Sequence, residues 1–473
     1  MGSANTGSTD MSEPPVPSDQ TSLASGAEKQ PRIAGRLASK LSEWLDALQA
    51  RQPGADREML AALAVAMVLF SVFPVANFLL GRFAMDYDLW YFTAQNFLHH
   101  RPIYPTGTEL SFIYPPSAAA MLAVPAALGR PLFILALVAL NSLAWASCAN
   151  LTVWLVTSRS TRQHPLLTLL PSLAMIFWIW DTYLLGQPAL VLLALMLGAA
   201  ACLRLGRPAF AGVMVGTAAA IKAFPILAIG YLVYRRHWKA TVATLLSLAA
   251  WLLVVPLAFR SPTTTVEELV TWTRRVVLTY GETGISQRGV RAFSYRNHSI
   301  MGVANRLLRP VLADGEADPR WKVNLANLGF GAVNAVIIVV MLGLGIFFLW
   351  CVPRGRAPTP REESIELAML LLLITLAPPL AWNYAFVWML YPLGVASKLV
   401  LDAAPLSRRR LRMVGWLALS LLVQAMALPM RRVAQAYGST FFSALILLLG
   451  LGLALREIAS ERRSVSAPLP RPL

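Results

Sequence analysis

The run LANLGFGAVNAVIIVVMLGLGIFFLWC, residues Leu325–Cys351, contains no charged side chain and ends where VPRGR introduces two arginines. A transmembrane helix needs about 20 mainly apolar residues, so this run is long enough to cross a bilayer. Other runs that qualify or nearly qualify are Leu60–Leu80, Pro131–Thr157, Leu166–Tyr183, Pro188–Leu203, Ala240–Phe259, Ile365–Pro379, Ala385–Leu401, Met413–Pro429 and Ser439–Leu455. The sequence therefore predicts an all-α, polytopic integral membrane protein with about ten full transmembrane helices.

Three further apolar runs are too short to span a membrane comfortably: Pro116–Leu128, Ala209–Ile221 and Phe224–Tyr234. We expect half-helices, or tilted helices broken by proline. In the second run, Gly212 and Gly216 form a small-x-x-x-small pattern, which is typical of closely packed helices.

The composition excludes a soluble protein of this size. Hydrophobic residues make up 56% of the 473 residues and charged residues only 14%, whereas soluble proteins average about 25% charged. The formal net charge of +17 comes from short basic clusters between apolar runs. This distribution favours membrane lipids as partners and does not indicate a nucleic-acid groove.

Basic residues concentrate in short loops on one side of the predicted spans. Lys and Arg favour cytoplasmic loops, so we predict that these loops and both termini are cytoplasmic. The other side receives outer loops 82–115 and 260–322, the turn Asp181–Gln187 and the link Ala381–Tyr384, and chemistry is expected there. The basic set is Arg159, Arg162, Arg204, Arg207, Arg235, Arg236, Lys239, Arg354, Arg356, Arg361 and Arg408–Arg412, and Arg431 and Arg432 depart from it.

The chain divides into three predicted parts. Residues 1–58 begin as a tract rich in Ser, Gly, Pro and Thr that buries too little apolar area to fold alone, so a mostly disordered cytoplasmic tract is expected. A short amphipathic helix over Ile33–Leu48 is the alternative for its second half. Residues 59–456 form the membrane domain, and residues 457–473 a cytoplasmic tail.

Several familiar catalytic and cofactor motifs are absent from the sequence. There is no G-x-x-x-x-G-K-[ST], G-x-G-x-x-G, H-E-x-x-H or G-x-S-x-G pattern. Cys148, Cys202 and Cys351 lie in or beside apolar runs, with no spacing typical of a disulfide framework or metal site. We therefore predict neither a cofactor nor a metal.

Two carboxylates follow the first predicted span, Asp86 and Asp88 in MDYDLWY. A carboxylate in a partly dry site can deprotonate an acceptor hydroxyl, because desolvation raises its basicity. Solvated charges at the membrane boundary are the alternative interpretation. The two side chains share a face if the segment is extended and diverge if it is helical.

The motifs around these carboxylates occur in a specific order. They are DYDLWY (86–91), PIY (102–104), YPP (114–116), LGQP (185–188), AG (211–212) through IKAFP (221–225), NHSIMG (297–302) with Arg306, and APPLAWNY (377–384). Together they resemble glycosyltransferase family 87, a group of GT-C fold enzymes that use polyprenyl-phosphate sugars. The last motif departs from the family pattern, since Asn383 and Tyr384 follow the tryptophan where the family often has histidine.

The resemblance implies a GT-C-like membrane enzyme that transfers a sugar with inversion on the extracytoplasmic side. The family includes actinobacterial α-mannosyltransferases and related arabinofuranosyltransferases. The implied partners are a polyprenyl-phosphate sugar donor, with mannose favoured, and a lipid or glycan acceptor. No nucleotide or obligatory metal is implied.

The resemblance also suggests roles for individual residues. Asp86 is the predicted general base, with Asp88 as the alternative. Lys222 precedes a proline-broken turn between two short apolar runs. An ionisable residue at such a position usually faces a cavity, so Lys222 is predicted to hold the donor phosphate. Its alternative role is snorkelling to the membrane interface. Further predicted contacts to phosphate or sugar are Arg306, Arg296, His298, Gln187 and Asn297, the last two of which also suit caps.

Two other functions remain open from the sequence. A secondary transporter predicts inverted repeats and charged residues in several spans, but no repeat is visible and Lys222 is nearly alone in an apolar segment. A flippase or polymer ligase for lipid-linked sugars is the closer alternative, since it handles the same donors.

Overall fold

The computed structural model describes residues 55–105, 112–158, 166–282, 284–285, 293–314, 320–354, 357–428 and 430–465. Most of the predicted N-terminal tract, including Ile33–Leu48, lies outside these residues, as do residues 466–473. Within the described ranges the regular structure is helical, apart from one antiparallel pair, β1 (Tyr280–Gly281) with β2 (Gly284–Ile285). The all-α prediction is confirmed.

The helices are α1 (Ala55–Leu79), α2 (Asp86–Leu98), α3 (Pro116–Ala127), α4 (Arg130–Thr157), α5 (Leu166–Ala174), α6 (Ile176–Leu185), α7 (Ala189–Arg204), α8 (Pro208–Ile221), α9 (Ala228–Tyr234), α10 (Trp238–Ala249), α11 (Pro262–Trp272), α12 (Ile300–Leu308), α13 (Phe330–Cys351), α14 (Pro360–Leu376), α15 (Leu390–Asp402), α16 (Arg408–Ala425), α17 (Arg431–Ala436) and α18 (Ser439–Val465). Short 3₁₀ segments precede α9 (Phe224–Leu227) and α15 (Asn383–Met389). A π-helical segment continues each of α10 and α11.

Six helical segments of the described chain are long and apolar enough to cross a membrane, so the polytopic membrane prediction is confirmed. A seventh span forms if α5 and α6, which bend by 65° at their junction, count as one. Other predicted spans are helical but shorter or more charged: α7 has 16 residues, and α14 carries glutamates in its first turns. The six are Leu60–Leu79, Arg130–Thr157, Trp238–Leu257, Phe330–Cys351, Asn383–Asp402 and Ser439–Arg462.

The predicted short helices are present, and glycine lets two of them pack closely. On α8, a Cβ at Gly216 would lie 2.7 Å from the carbonyl oxygen of Thr244 on α10, and one at Gly212 would collide with the carbonyl oxygen of Ala240. Close backbone approach of this kind requires residues without a side chain. The small-x-x-x-small pattern is thus a packing motif, as predicted.

One end of the helical bundle, which we call the basic end, is held by ion pairs between the ends of neighbouring helices. Arg204 binds Glu363 at 2.9 Å, and Arg235 binds the buried Glu366. Arg412 binds Glu457 on α18 at 2.7 Å. These contacts join the segments that the sequence grouped on one side of the membrane by their basic residues.

The described parts of loops 82–115 and 260–322 meet at the opposite end of the bundle, where the guanidinium of Arg260 donates to the backbone carbonyl of Arg101 at 2.7 Å. Arg431 and Arg432, which departed from the basic pattern, lie here and each binds an aspartate. The distances are 2.7 Å to Asp181 for Arg431 and 2.7 Å to Asp314 for Arg432. Their position is explained by these partners.

Candidate active site

Asp86 and Asp88 lie in the first turn of α2 and point in different directions, as expected for residues two apart on a helix. Asp88 is 1% exposed and receives two hydrogen bonds from Arg130, of 2.5 and 2.9 Å. It also accepts the backbone N–H of Ala84 at 2.6 Å. These contacts tie the start of α2 to α4, which is a structural role.

Asp86 instead faces the turn between α6 and α7. The side-chain amide of Gln187 donates to Oδ2 of Asp86 at 2.5 Å and accepts the hydroxyl of Tyr114 at 2.5 Å. Gly186 makes this approach possible: its φ is +69°, and a Cβ there would lie 2.9 Å from the ring of Tyr87. Glycine adopts this left-handed conformation without strain, so the Gly-Gln pair delivers Gln187 beside Asp86.

Lys222 is placed where α8 ends. Its backbone is extended, with φ −151° and ψ 127°, and the following 3₁₀ turn contains Pro225. The ammonium lies 3.3 Å from the hydroxyl of Tyr384, 4.7 Å from the centroid of that ring and 5.2 Å from the ring of Tyr114. Aromatic rings attract a cation with their negative faces.

Tyr114 therefore joins the predicted base to the predicted phosphate-binding lysine. Its hydroxyl reaches Gln187, and its ring faces Lys222. We call Asp86, Tyr114, Gln187, Lys222 and Tyr384 the Asp86 cluster. It combines a carboxylate, a cation and neutral hydrogen-bonding groups contributed by five different segments of the chain.

The other predicted contacts lie in residues 293–306, which we call the anchor segment. Arg306 has no solvent exposure and donates to the carbonyl oxygens of Ala436 at 3.0 Å, Ser294 at 2.8 Å and Asn297 at 2.7 Å. In this structure its guanidinium therefore holds the segment together and binds it to α17.

Asn297 likewise binds the backbone of residues 379–381, which precede the 3₁₀ segment that begins at Asn383. Its amide donates to the carbonyl of Pro379 at 3.0 Å, and its Oδ1 accepts the N–H of Ala381 at 3.0 Å. A Cβ at Gly302 would lie 2.7 Å from the Asn297 amide, so the glycine of the motif makes room for it.

His298 is fully buried, and its Nε2 lies 2.5 Å from Oδ1 of Asn383. Burial, together with the nearby positive charges of Arg306 and Arg431, lowers the pKa of His298 to about 3. The ring is therefore neutral at physiological pH, and it donates from Nε2 to Asn383.

Arg296 is the exposed member of the anchor segment. Its Nε donates to the hydroxyl of Tyr295 at 3.1 Å. Its charge also acts on Asp181, the aspartate that binds Arg431. It lies among the outer segments, and its contact with phosphate or sugar stays a prediction.

The structure thus brings Asp86, Gln187 and Lys222 into one cluster and places Arg306, Asn297 and His298 in a separate, internal network. Tyr114, Tyr384 and Asn383 have no role predicted from the sequence, although all three belong to the quoted motifs. Their roles depend on contacts between residues separated by 73 to 162 positions. Among the described residues, no group of three or more His, Cys, Asp or Glu could hold a metal ion.

Comparison with known proteins identifies the family of the chain. Residues 112–379 match the family model described as glycosyltransferase family 87. The chain is also 25% identical over 354 residues to the polyprenol-phosphate-mannose-dependent alpha-(1-2)-phosphatidylinositol mannoside mannosyltransferase of Mycobacterium tuberculosis, covering 70% of this chain and 73% of that protein. The family prediction is confirmed: the chain belongs to glycosyltransferase family 87 and is a membrane glycosyltransferase.

Proposed function

We propose that the protein transfers a sugar, with mannose favoured, from a polyprenyl-phosphate donor to a hydroxyl of a lipid or glycan acceptor, with inversion at the anomeric carbon. The observation that carries this proposal is the Asp86 cluster. It places a carboxylate and an ammonium on the two sides of Tyr114 and Gln187, at the end of the bundle where the outer loops meet. The mannosyltransferase named above supports mannose as the sugar.

In the proposed reaction, Asp86 takes the proton of the acceptor hydroxyl as its oxygen attacks the anomeric carbon. The bond between that carbon and the phosphate oxygen breaks, and its electron pair leaves with the polyprenyl phosphate. Lys222 stabilises the negative charge of the leaving phosphate as a point charge. One displacement of this kind inverts the anomeric centre and needs a single base.

We place this reaction on the extracytoplasmic face. The support is the distribution of charge, since basic loops favour the cytoplasm and the Asp86 cluster lies at the end opposite to the basic end. A cysteine replacing Glu282 should then react with a membrane-impermeant reagent on intact cells, and one replacing Arg408 should not. The reverse labelling would place the site in the cytoplasm.

The reaction itself is tested with purified protein in vesicles, host lipid extract and a panel of polyprenyl-phosphate sugars. We expect one donor to give a glycosylated lipid or glycan by mass spectrometry, with acceptor-dependent release of polyprenyl phosphate. An Asp86→Asn protein in the same vesicles is the control. Movement of intact donor across the bilayer without release of polyprenyl phosphate would support a flippase, and solute uptake would support a transporter.

A further inference from the structure

The amide of Gln187 lies buried between the Tyr114 hydroxyl, which can donate a hydrogen bond, and the Asp86 carboxylate, which accepts one. Gln187 is 2% exposed and Tyr114 is 4% exposed. The Tyr114 hydroxyl lies 2.5 Å from Oε1 of Gln187, and Nε2 of Gln187 lies 2.5 Å from Oδ2 of Asp86. The three side chains come from segments far apart in the chain and form one continuous chain of hydrogen bonds.

Only one orientation of the amide suits both neighbours when Asp86 is ionised. A carboxylate accepts hydrogen bonds and cannot donate, so the NH₂ group of Gln187 must face it. The flipped amide would place Oε1 against the carboxylate, and the Tyr114 hydroxyl would lose the acceptor that it now uses. The orientation therefore depends on a donor at Tyr114 as well as on the charge of Asp86.

The position of the Tyr114 hydroxyl is itself fixed by its surroundings. The ring packs against Trp90, with centroids 4.4 Å apart, and against Phe112 at 5.5 Å. The backbone carbonyl of Tyr114 accepts the hydroxyl of Tyr104 at 2.5 Å. A ring held by neighbouring rings and by its backbone directs its hydroxyl at Gln187 without having to be ordered during each turnover.

We infer that Tyr114 is a positioning residue for the base: its hydroxyl fixes the Gln187 amide with the NH₂ group toward Asp86, and that hydrogen bond holds the Asp86 carboxylate in place and ionised. This rests on the proposed function, in which Asp86 takes the acceptor proton. A hydrogen bond donated to a carboxylate favours the charged form. If the Gln187 amide flipped, a protonated Asp86 could donate a hydrogen bond to Oε1, and that bond would stabilise the inactive, protonated base. The Tyr114 hydroxyl opposes this flip because it donates to Oε1 in the observed orientation.

Tyr114→Phe tests this inference because it removes the hydroxyl and keeps the ring that faces Lys222. We expect kcat to fall by about 2- to 10-fold, the range for loss of one neutral hydrogen bond. The KM for the donor should not change, and the acidic limb of the pH–rate profile should move to higher pH. Tyr234→Phe is the matched control. It removes a half-buried hydroxyl that donates to the backbone carbonyl of Val352 at 2.8 Å, at the basic end, so it should lower thermal stability and leave kcat and the pH profile unchanged.

A double-mutant cycle separates action through Gln187 from a direct effect. Gln187→Met keeps the length of the side chain and removes both polar ends. In that background Tyr114→Phe should cause no further loss of kcat. An equal loss in both backgrounds would overturn the inference, as would an unchanged pH profile in Tyr114→Phe alone.

The inference and the proposed function fail differently. If Tyr114→Phe resembles the parent protein while Asp86→Asn is inactive, Asp86 remains the base and only the positioning role of Tyr114 is overturned. If Asp86→Asn remains active, the proposed function fails at its base, and the inference fails with it.

Discussion

The Asp86 cluster and the anchor segment contain similar residue types but use them in opposite ways. In the Asp86 cluster, polar side chains contact one another, as in the bonds from Tyr114 to Gln187 and from Gln187 to Asp86. In the anchor segment, Arg306 and Asn297 contact backbone groups, either within the segment, as at the carbonyl of Asn297, or in other segments, as at Ala436 and Pro379. A family motif can therefore supply either candidate catalytic groups or contacts that hold the backbone, and the hydrogen-bond partners distinguish the two.

The largest expected effect is the loss of stability in Arg306→Ala. Three carbonyl oxygens would lose bonds of 3.0 Å or less. Each buried acceptor left without a donor costs about 1–3 kcal/mol, so the loss should be at least about 3 kcal/mol. Thermal unfolding of detergent-purified protein measures it, and Arg306→Lys should rescue little because an ammonium cannot reproduce the guanidinium geometry. If the Arg306→Ala protein were stable and its KM for the donor were raised, Arg306 would be a donor-binding residue and the structural assignment would be wrong.

Lys222→Ala should affect kinetics and leave folding intact. Removing a charge-assisted contact to the donor phosphate costs about 1.5–3 kcal/mol, which appears as a higher donor KM or as lost turnover. Lys222→Arg should rescue only in part, because the planar guanidinium does not fit the same contacts. Steady-state kinetics at several donor concentrations measure the effect. If the kinetics of the Lys222→Ala protein were unchanged, Lys222 would not bind the donor phosphate, and the alternative, in which it extends to the membrane interface, would hold.

Two glycine substitutions compare the regions directly. In Gly302→Ala the added methyl group overlaps with the side chain of Asn297. In Gly186→Ala it overlaps with the ring of Tyr87, at a backbone position with φ +69°. Each should lower stability by about 1–3 kcal/mol through overpacking. Only Gly186→Ala should also lower kcat of the folded protein, since Tyr87 and Gln187 flank Asp86. Equal kinetic losses in both proteins would contradict the division between the two regions.

The smallest expected effect is a pH dependence of stability from His298. Its pKa is about 3 in the folded protein and about 6.5 when unfolded. The unfolded state therefore binds the proton first, and stability falls as the pH drops from about 6.5 toward 3. At pH 5.5 the loss from this group should be about 1.4 kcal/mol. Unfolding measured between pH 7.5 and 5.5 should show this slope, and His298→Gln should flatten it; an unchanged slope would refute the assignment.

Much of the architecture could be predicted from the sequence, because apolar length and proline position are local properties. Run Leu325–Cys351 gave the span that is observed as α13, and the break after Ile221 was visible from Lys222 and Pro225. The bend between α5 and α6 was missed, since the apolar length of Leu166–Tyr183 predicts one span, although Pro171 lies four residues before the junction. Apolar composition alone does not show where such a run bends.

The site was predicted less completely, because its contacts join distant segments. Asp86 and Gln187 are 101 positions apart, and Lys222 and Tyr384 are 162 apart. The difference between Asp86 and Asp88 was also hidden, since it depends on the helical start of α2 and on Arg130. Motif resemblance selected the candidate segments, and only the folded arrangement separated the residues that face one another from those that hold the backbone.

A comparison of Asp86→Asn with Asp88→Asn, made with the donor that the panel identifies, shows which carboxylate is the base. Asp86→Asn keeps the shape and removes the basicity, so kcat should fall by about 10²–10⁴-fold, with donor binding and thermal stability retained. Asp88→Asn weakens the contact with Arg130, so it should lower stability while the folded protein keeps a kcat near that of the parent. An inactive, stable Asp88→Asn protein beside an active Asp86→Asn protein would contradict the assignment of the base.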